Sequence, residues 1–135
     1  TNRTAFTTEN QIAVSVVYTN GNYVNPSALG IAYRNTSVAL FGKKIRANSG
    51  GIGQPGRTKL EATVLEHELG HLLGLVDVGT TMQTPHKANG NHCSSQSCLM
   101  YYAAETTDIL GFLVTGNIPA LDGDCLADLK ANGGQ

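Results

Sequence analysis

The most specific chemical signal in the sequence is H-E-x-x-H, at residues 67 to 71. His67 and His71 are four residues apart, so on a helix both imidazoles lie on one face and can bind one tetrahedral zinc ion at about 2.0–2.1 Å. Glu68 lies one position further round, where a carboxylate can take a proton from an activated water and return it to a leaving amine. The motif predicts a zinc hydrolase with Glu68 as general base and acid.

Two further features follow this motif along the chain. Gly74 comes three residues after the second histidine. A methionine lies in a later segment, Cys98-Leu99-Met100-Tyr101-Tyr102, which we call the Met-turn. The arrangement resembles the metzincin metallopeptidases, in which the glycine lets the chain double back and bring a third ligand to the zinc. The resemblance implies that Met100 lies beneath the zinc and that Tyr102 contacts the metal or the oxyanion.

The third zinc ligand has two competing positions. In the common metzincin spacing, H-x-x-G-x-x-[H/D], it is Asp77, as in the small aspartate-zinc metzincins of the snapalysin type. The segment from His92 to Met100 reads H-C-x4-C-x-M and is similar to archaemetzincins, in which the third histidine directly precedes a cysteine. That resemblance implies His92 as the ligand, with residues 76–91 as an insertion. His86 is a further alternative, and we favour His92.

Three cysteines, Cys93, Cys98 and Cys125, are an odd number for a disulfide framework. They leave either metal ligation or one disulfide and a free thiol. Archaemetzincins hold a second zinc with four cysteines, so the resemblance implies a structural zinc at these three thiolates, with Asp128 where the fourth cysteine would be. His86 is the other candidate for the fourth ligand, and a disulfide between two of the three cysteines is the alternative.

One helix must position the histidines. Apolar residues at spacings of three and four predict it from Thr58 to Leu73, with the following glycine as its left-handed cap. A β-branched run predicts a strand from Ile12 to Tyr18, and the stretch from Gly30 to Gly42 predicts a strand pair with a polar interruption. Residues 48–56 are rich in glycine and predict a loop.

The expected fold class is α+β, arranged as a metzincin-like catalytic domain. At 135 residues the chain predicts a single domain. Residues 1–74 would form a small upper β-sheet with the active-site helix. Residues 75–135 would form an irregular lower subdomain with the Met-turn and a C-terminal helix from Asp122 to Ala131. An edge strand of the upper sheet binds extended substrate in metzincins, and Ser37–Phe41 is the best match for that strand.

The composition argues against nucleic-acid binding and against a membrane-spanning segment. Nine basic and ten acidic residues give a net charge of −1, which leaves no basic face for nucleic acid. No apolar run approaches the roughly 20 residues of a membrane span. The chain begins at Thr1 without a signal peptide, so we expect a processed or trimmed form. Similar bacterial metallopeptidases imply export to the periplasm, the envelope or the outside, although thiolate-bound zinc also fits the cytoplasm.

The sequence therefore predicts a zinc-dependent peptidase with a peptide or protein substrate. It binds one catalytic zinc ion and, by resemblance, a second structural one. The alternative is a catalytically idle zinc-binding module that uses the same scaffold for recognition.

Overall fold

The computed structural model describes residues 5–114 and 116–134 of an α+β protein. Its strands and helices, in chain order, are β1 (Ser15–Thr19), β2 (Gly30–Tyr33), β3 (Ser37–Phe41), α1 (Gly42–Ala47), α2 (Arg57–Leu72), β4 (Lys87–Ala88), β5 (His92–Cys93), α3 (Leu110–Leu113) and α4 (Gly123–Ala131). Two 3-10 helices, Tyr102–Glu105 and Thr107–Ile109, precede α3. In the part of the chain that the structure describes, no helix is both long and apolar enough to cross a membrane.

The upper sheet has three strands in the order β1-β3-β2. β3 pairs with β1 in parallel and with β2 in antiparallel fashion. The predicted strand pair within residues 30–42 is confirmed, but the prediction that Ser37–Phe41 is the edge strand is wrong. β3 occupies the centre because β1 adds to it from earlier in the chain, and such long-range pairing leaves no local trace in the sequence. The strand at the edge beside the histidines is β2.

The helix α2 confirms the predicted helix to within one residue at each end. The C-terminal cap of α2 ends at Gly74, whose φ of 86° lies in the left-handed region. The backbone N–H of Leu75 donates to Gly70 O (3.1 Å) and that of Gly74 donates to His71 O (2.9 Å), the two bonds of a Schellman cap. A Cβ at position 74 would lie 2.8 Å from Thr80 Cγ2, so glycine is required for packing as well as for φ.

Two hydrophobic clusters surround α2. The first joins the sheet, α1, α2 and the segment after the Met-turn, and comprises Leu29, Val38, Leu40, Ile45, Leu60, Val64, Ala104, Ile109 and Leu113. The second lies below and comprises Leu75, Val76, Cys93, Cys98, Met100 and Cys125, with Leu121 and Leu129 packed against it. Residues beyond 75 contribute to both clusters, so the segment after the Met-turn ties the lower part to the sheet.

The lower part contains α4, which confirms the predicted C-terminal helix. Asp122 caps it, since its Oδ1 accepts a hydrogen bond from Cys125 N at 3.0 Å. The sequence did not predict α1, α3 or the 3-10 helices, which are short and lack a strong apolar period. It also did not predict the hairpin of β4 and β5, in which only two residues of each strand pair.

Candidate metal centre

Three histidines converge at one point beside α2. His67 and His71 lie one helical turn apart, and their Nε2 atoms are 3.1 Å from each other. The ring of His92 is centred 5.4 Å from that of His67 and 5.2 Å from that of His71. Together with Glu105, these residues offer four ligand atoms that all lie within 4.8 Å of one another. This group could hold a metal ion, and it contains the three histidines predicted from the sequence.

Backbone carbonyls fix the orientation of two of the rings. His67 Nδ1 lies 2.7 Å from Leu99 O, and His92 Nδ1 lies 2.7 Å from Asn89 O. A carbonyl can only accept, so we assign the Nδ1–H tautomer to both rings, which leaves each Nε2 with a free lone pair when the ring is neutral. Metal-binding histidines are held by outer hydrogen bonds of this kind.

The electrostatics of the histidines also suit a cation. Burial, followed by the neighbouring His71, lowers the pKa of His67 to about 3, and burial and His92 lower the pKa of His71 to about 4. Both rings are therefore neutral at pH 7, with lone pairs available. Within the described residues, His71 Nδ1 and His92 Nε2 are buried without a hydrogen bond of normal geometry, although Glu105 Oε1 lies 3.3 Å from His92 Nε2. Unpaired buried nitrogens are costly unless a cation or water satisfies them.

The hairpin of β4 and β5 brings His92 to the site. Ala88 pairs with His92, and the turn between them has left-handed residues at Asn89 (φ 47°) and Gly90 (φ 79°). Residues 76–91, which were expected to be an insertion, thus fold back on themselves and bring the next residue, His92, to α2. An Asn-Gly pair before a histidine is the one local signal of this turn.

The structure does not bring Asp77, the alternative third ligand, into the group. Its side chain is 57% exposed, and Oδ2 lies 2.7 Å from Lys87 Nζ. His86, the other alternative, lies beside the cysteines, with Nε2 3.6 Å from Cys125 Sγ. Of the three candidates, only His92 lies with the two helix histidines.

Glu68 lies beside the three histidines and is fully buried. Burial, followed by the charge of Glu105, raises its pKa to about 9, against which the backbone N–H of Ala32 acts weakly. No hydrogen bond of normal geometry reaches either carboxylate oxygen within the described chain. A Cβ on Gly30 would lie 3.1 Å from Glu68 Oε1, so strand β2 passes directly over the carboxylate. This carboxyl group therefore lies under β2 and close to the carboxyl group of Glu105, which contributes to its raised pKa.

An open cleft of about 490 Å³ runs over these groups. Ile31 and Ala32 of β2 form one wall, and the β4–β5 turn with His92 forms the other. Glu68 and His71 also line it. The cleft therefore places an edge strand of the described sheet, a carboxyl group and candidate ligands in reach of one bound molecule.

Met100 lies directly under α2. It is fully buried, and its Sδ packs on Gly70, at a position where any Cβ would collide with it. The chain turns tightly here, since Tyr101 N donates to Cys98 O at 3.0 Å. The preceding residue, Leu99, supplies the carbonyl that holds His67. This turn thus supports the ring of His67 from below α2, and the position of Met100 beneath a zinc ion stays a prediction.

Tyr102 follows this turn, and its ring pairs with that of Tyr101 at a centroid distance of 4.6 Å. It is not among the residues that line the cleft, whereas Tyr23 is. The predicted role of Tyr102 at the oxyanion stays a prediction.

Glu105 is the member of the histidine group that sequence reasoning missed. It ends the first 3-10 helix, and burial raises its pKa while His92, His67 and His71 more than offset this, so the pKa is lowered overall. It lies five residues after Met100, a separation that matches no motif quoted above. An acidic residue soon after the Met-turn was the only sequence signal.

A second group of possible ligands lies below the first. Cys93, Cys98, Cys125 and Asp122 offer ligand atoms within 4.8 Å of one another. Cys98 Sγ lies 3.6 Å from Cys125 Sγ, and Cys93 Sγ lies 3.2 Å from Asp122 Oδ2. All three cysteines are buried and free. The hydrogen bond from Cys125 lowers the pKa of Cys98, and the same contact raises the pKa of Cys125. Cys98 is therefore the thiol of this pair that ionises first.

The fourth member of this group is Asp122, whereas the sequence predicted Asp128. Asp128 is buried on α4 and does not belong to the group. Its Oδ1 accepts a hydrogen bond from Gln83 N at 2.7 Å. Its Oδ2 lies 3.6 Å from His86 Nε2, which also lies 3.6 Å from Cys125 Sγ. Asp122, rather than Asp128, is the fourth member of the cysteine group because it caps α4. A capping carboxylate faces the first turn of its helix, where Cys125 lies.

Comparison with known proteins gives no identification. No family model, curated protein or solved structure matches the chain. Its function must be argued from the two ligand groups and the cleft.

The buried groups predict how the stability of the metal-free protein depends on pH. Glu68 has a folded pKa of about 9 against 4.5 as its ordinary value, so its stabilising effect is full below pH 4.5 and is lost as the pH rises to 9. His67 and His71 have folded pKa values of about 3 and 4 against 6.5, so their effect is full above pH 6.5 and is lost as the pH falls. We expect maximal stability near pH 6.5 and a fall above it of about 1.4 kcal/mol per pH unit.

Denaturant unfolding of the chelator-treated protein between pH 6.5 and 9 measures this fall. Glu68→Gln should remove it, because the amide carries no proton to lose, and Glu66→Gln, an exposed neighbour on α2, should retain it. A wild-type protein whose free energy of unfolding stays constant over this range would contradict a neutral, buried Glu68.

Proposed function

We propose that this chain is a zinc-dependent peptidase of the metzincin type. One observation carries the proposal: three histidines converge beside a buried carboxyl group, and within the described residues neither oxygen of that group has a hydrogen bond of normal geometry. This carboxyl group, His71 and His92 all line an open cleft. Structural zinc sites need no such carboxyl, whereas hydrolytic sites use one as a base. This difference favours an enzyme over the idle recognition module.

The donor set fits zinc. Bonds of 2.0–2.1 Å in a tetrahedron place ligand atoms about 3.3 Å apart, and His67 Nε2 and His71 Nε2 are separated by 3.1 Å. His92 completes a set of three imidazoles, a common arrangement in catalytic zinc sites.

The residues of the cleft then have separate roles. When bound, zinc would supply a Lewis acid that activates water and polarises the scissile carbonyl. The positive charge of bound zinc would favour the ionised form of Glu68 and oppose the burial that raises its pKa in the metal-free protein. Ionised Glu68 accepts the proton of the attacking water and passes it to the leaving amine. Its buried position excludes competing water, and its unpaired oxygens leave it free to accept. Leu99 O and Asn89 O keep the histidine lone pairs pointed inward.

The substrate is proposed to be an extended peptide or protein segment. β2 pairs on one side with β3, and its residues Ile31 and Ala32 form a wall of the cleft. A peptide that adds to this edge as another strand would pass over Glu68 and the three histidines. The role expected for Ser37–Phe41 therefore passes to β2.

A direct test is reversible removal of the metal. Wild-type protein treated with a chelator and dialysed should not cleave a mixture of unstructured peptides, and stoichiometric zinc should restore cleavage. Protein that binds zinc tightly at the histidines and cleaves none of a broad peptide library would instead support the recognition module. Protein that binds no zinc would remove both.

We further propose that Cys93, Cys98, Cys125 and Asp122 hold a second, structural zinc. Tetrahedral zinc with thiolate ligands at about 2.3 Å places sulfur atoms about 3.8 Å apart, close to the 3.6 Å between Cys98 and Cys125. Such a site would join the Met-turn to α4. It explains why three buried thiols and a carboxylate share one small space.

Metal analysis tests this second site. Wild-type protein purified without chelator should contain about two zinc ions per chain, and Cys125→Ser about one, because a closed four-ligand site loses much of its affinity with one thiolate. Leu126→Ser, an exposed change on the same helix turn, is the matched control and should keep both. About one zinc in the wild type, with Cys98 and Cys125 resistant to thiol reagents until reduced, would favour the disulfide.

A further inference from the structure

Glu105 is the fourth member of the histidine group, and its carboxylate is placed as a ligand would be. Oε1 lies 3.3 Å from His92 Nε2, and Oε2 lies 3.8 Å from His67 Nε2. With the 3.1 Å between the Nε2 atoms of His67 and His71, these separations bracket the edge of about 3.3 Å in a tetrahedral zinc site. The carboxylate thus lies at the corner that the three histidines leave open.

The backbone holds Glu105 in this position. Its carbonyl accepts a hydrogen bond of 2.7 Å from Leu29 N, and Thr107 N donates to Ser27 O at 3.2 Å. These two bonds flank a bridge between Ala28 and Thr106, which fastens the end of the 3-10 helix to the start of β2. The side chain is only 22% exposed, so it points inward from an anchored backbone.

Histidines are the charge partners of this carboxylate. In the described residues, Glu105 has ion-pair contacts with His67 and His92 only, and no lysine or arginine takes part. The hydrogen bond to Glu105 raises the pKa of His92 in spite of burial. A second carboxyl group, Glu68, lies in the same space. Three imidazoles and two carboxyl groups without a lysine or arginine form an environment that a divalent cation would satisfy.

We propose that Glu105 is a fourth protein ligand of the metal bound by His67, His71 and His92, and that it closes the coordination shell of the resting protein. Catalytic zinc sites keep one position open for water or substrate. On the proposed function, Glu105 must therefore withdraw before hydrolysis, and its link to β2 joins this withdrawal to the strand edge on which the peptide would bind.

The test compares the wild type with Glu105→Ala and Glu105→Gln by metal affinity and by access of a small anion to the metal. Zinc affinity from competition with a chromophoric chelator should fall at least about tenfold in both variants, since even the loss of an outer partner costs about 10–100-fold. Asp108→Asn removes an exposed carboxylate three residues on and should leave the affinity unchanged. Circular dichroism of the metal-free proteins checks that the variants fold.

Azide titration of the cobalt-substituted proteins reports the open position. The visible bands of the wild type should not respond to azide, whereas those of Glu105→Ala should shift. Both proteins share the cysteine group, so a difference between them reports the histidine group. Unchanged zinc affinity in both variants, or equal responses to azide in variant and wild type, would overturn the proposal.

The outcomes also separate this proposal from the proposed function. Wild-type protein that binds metal at the histidines, resists azide and cleaves no peptide would support Glu105 as a ligand and contradict the peptidase. Wild-type protein that cleaves peptides and binds azide freely would support the peptidase and contradict Glu105 as a ligand. Wild-type protein that binds no metal at these histidines would overturn both.

Discussion

Glu68→Gln is expected to lower kcat for peptide cleavage by about 10²–10⁴-fold while zinc stays bound. Glutamine keeps the shape of the side chain and fits the same buried space under Gly30, but its amide cannot accept and return a proton. The three histidines are unchanged, so zinc affinity should stay within a few-fold of the wild-type value. The loss should lie in kcat, because the strand edge that would bind the peptide is untouched.

The measurement is a steady-state assay on one fluorogenic peptide, with the zinc content of each sample determined in parallel. Glu66→Gln is the matched control, since it makes the same chemical change on the adjacent, exposed position of α2. It should cleave as the wild type does. A Glu68→Gln protein that retains zinc and full kcat would show that the base is another group, and the role assigned to Glu68 would be wrong.

The parts of the site that lie close together in sequence could be predicted. His67, Glu68 and His71 share one helix, so the 3.6-residue period alone fixes their relative positions. Gly74 was predictable for the same reason, because a helix stop with a left-handed residue is a local event. The capped helix α4 and the β2–β3 pair also follow from local patterns.

The parts that depend on distant contacts could not be predicted from spacing. β3 lies at the centre of the sheet because β1 joins it across more than fifteen residues, and periodicity does not report such pairing. Asp122 replaces Asp128 in the cysteine group because its capping geometry turns the carboxylate toward Cys125. Glu105 is held beside the histidines because the next residue, Thr106, forms a bridge with Ala28. No short motif encodes that contact.

The position of His92 depends both on a local sequence pattern and on a distant contact. The resemblance to archaemetzincins named it, but a loop of some fifteen residues had to return to α2 for the prediction to hold. The Asn89-Gly90 turn makes that return by reversing the chain within a few residues. The hydrogen bond from His92 Nδ1 to Asn89 O then uses the same turn to aim the ring, so one local structure both brings the histidine back and orients it.

Removal of His92 is accordingly the second change with a large expected effect. His92→Ala should lower the zinc affinity of the histidine group by more than about 100-fold, because a direct ligand is lost rather than an outer partner, whose loss costs about 10–100-fold. The two remaining histidines and one carboxylate would leave the ion open to water and to chelators. Cleavage should fall in proportion to the zinc that is lost.

Asp77→Asn is the matched comparison for the competing ligand. Asparagine tolerates the left-handed φ of 65° at this position, so the change removes the charge without straining the backbone. The exposed ion pair with Lys87 contributes little to stability, and zinc affinity should stay within a few-fold of the wild-type value. Competition with a chromophoric chelator measures both variants. The opposite ranking, in which Asp77→Asn loses the zinc and His92→Ala keeps it, would mean that the chain rearranges on metal binding to the shorter spacing and that His92 is not a ligand.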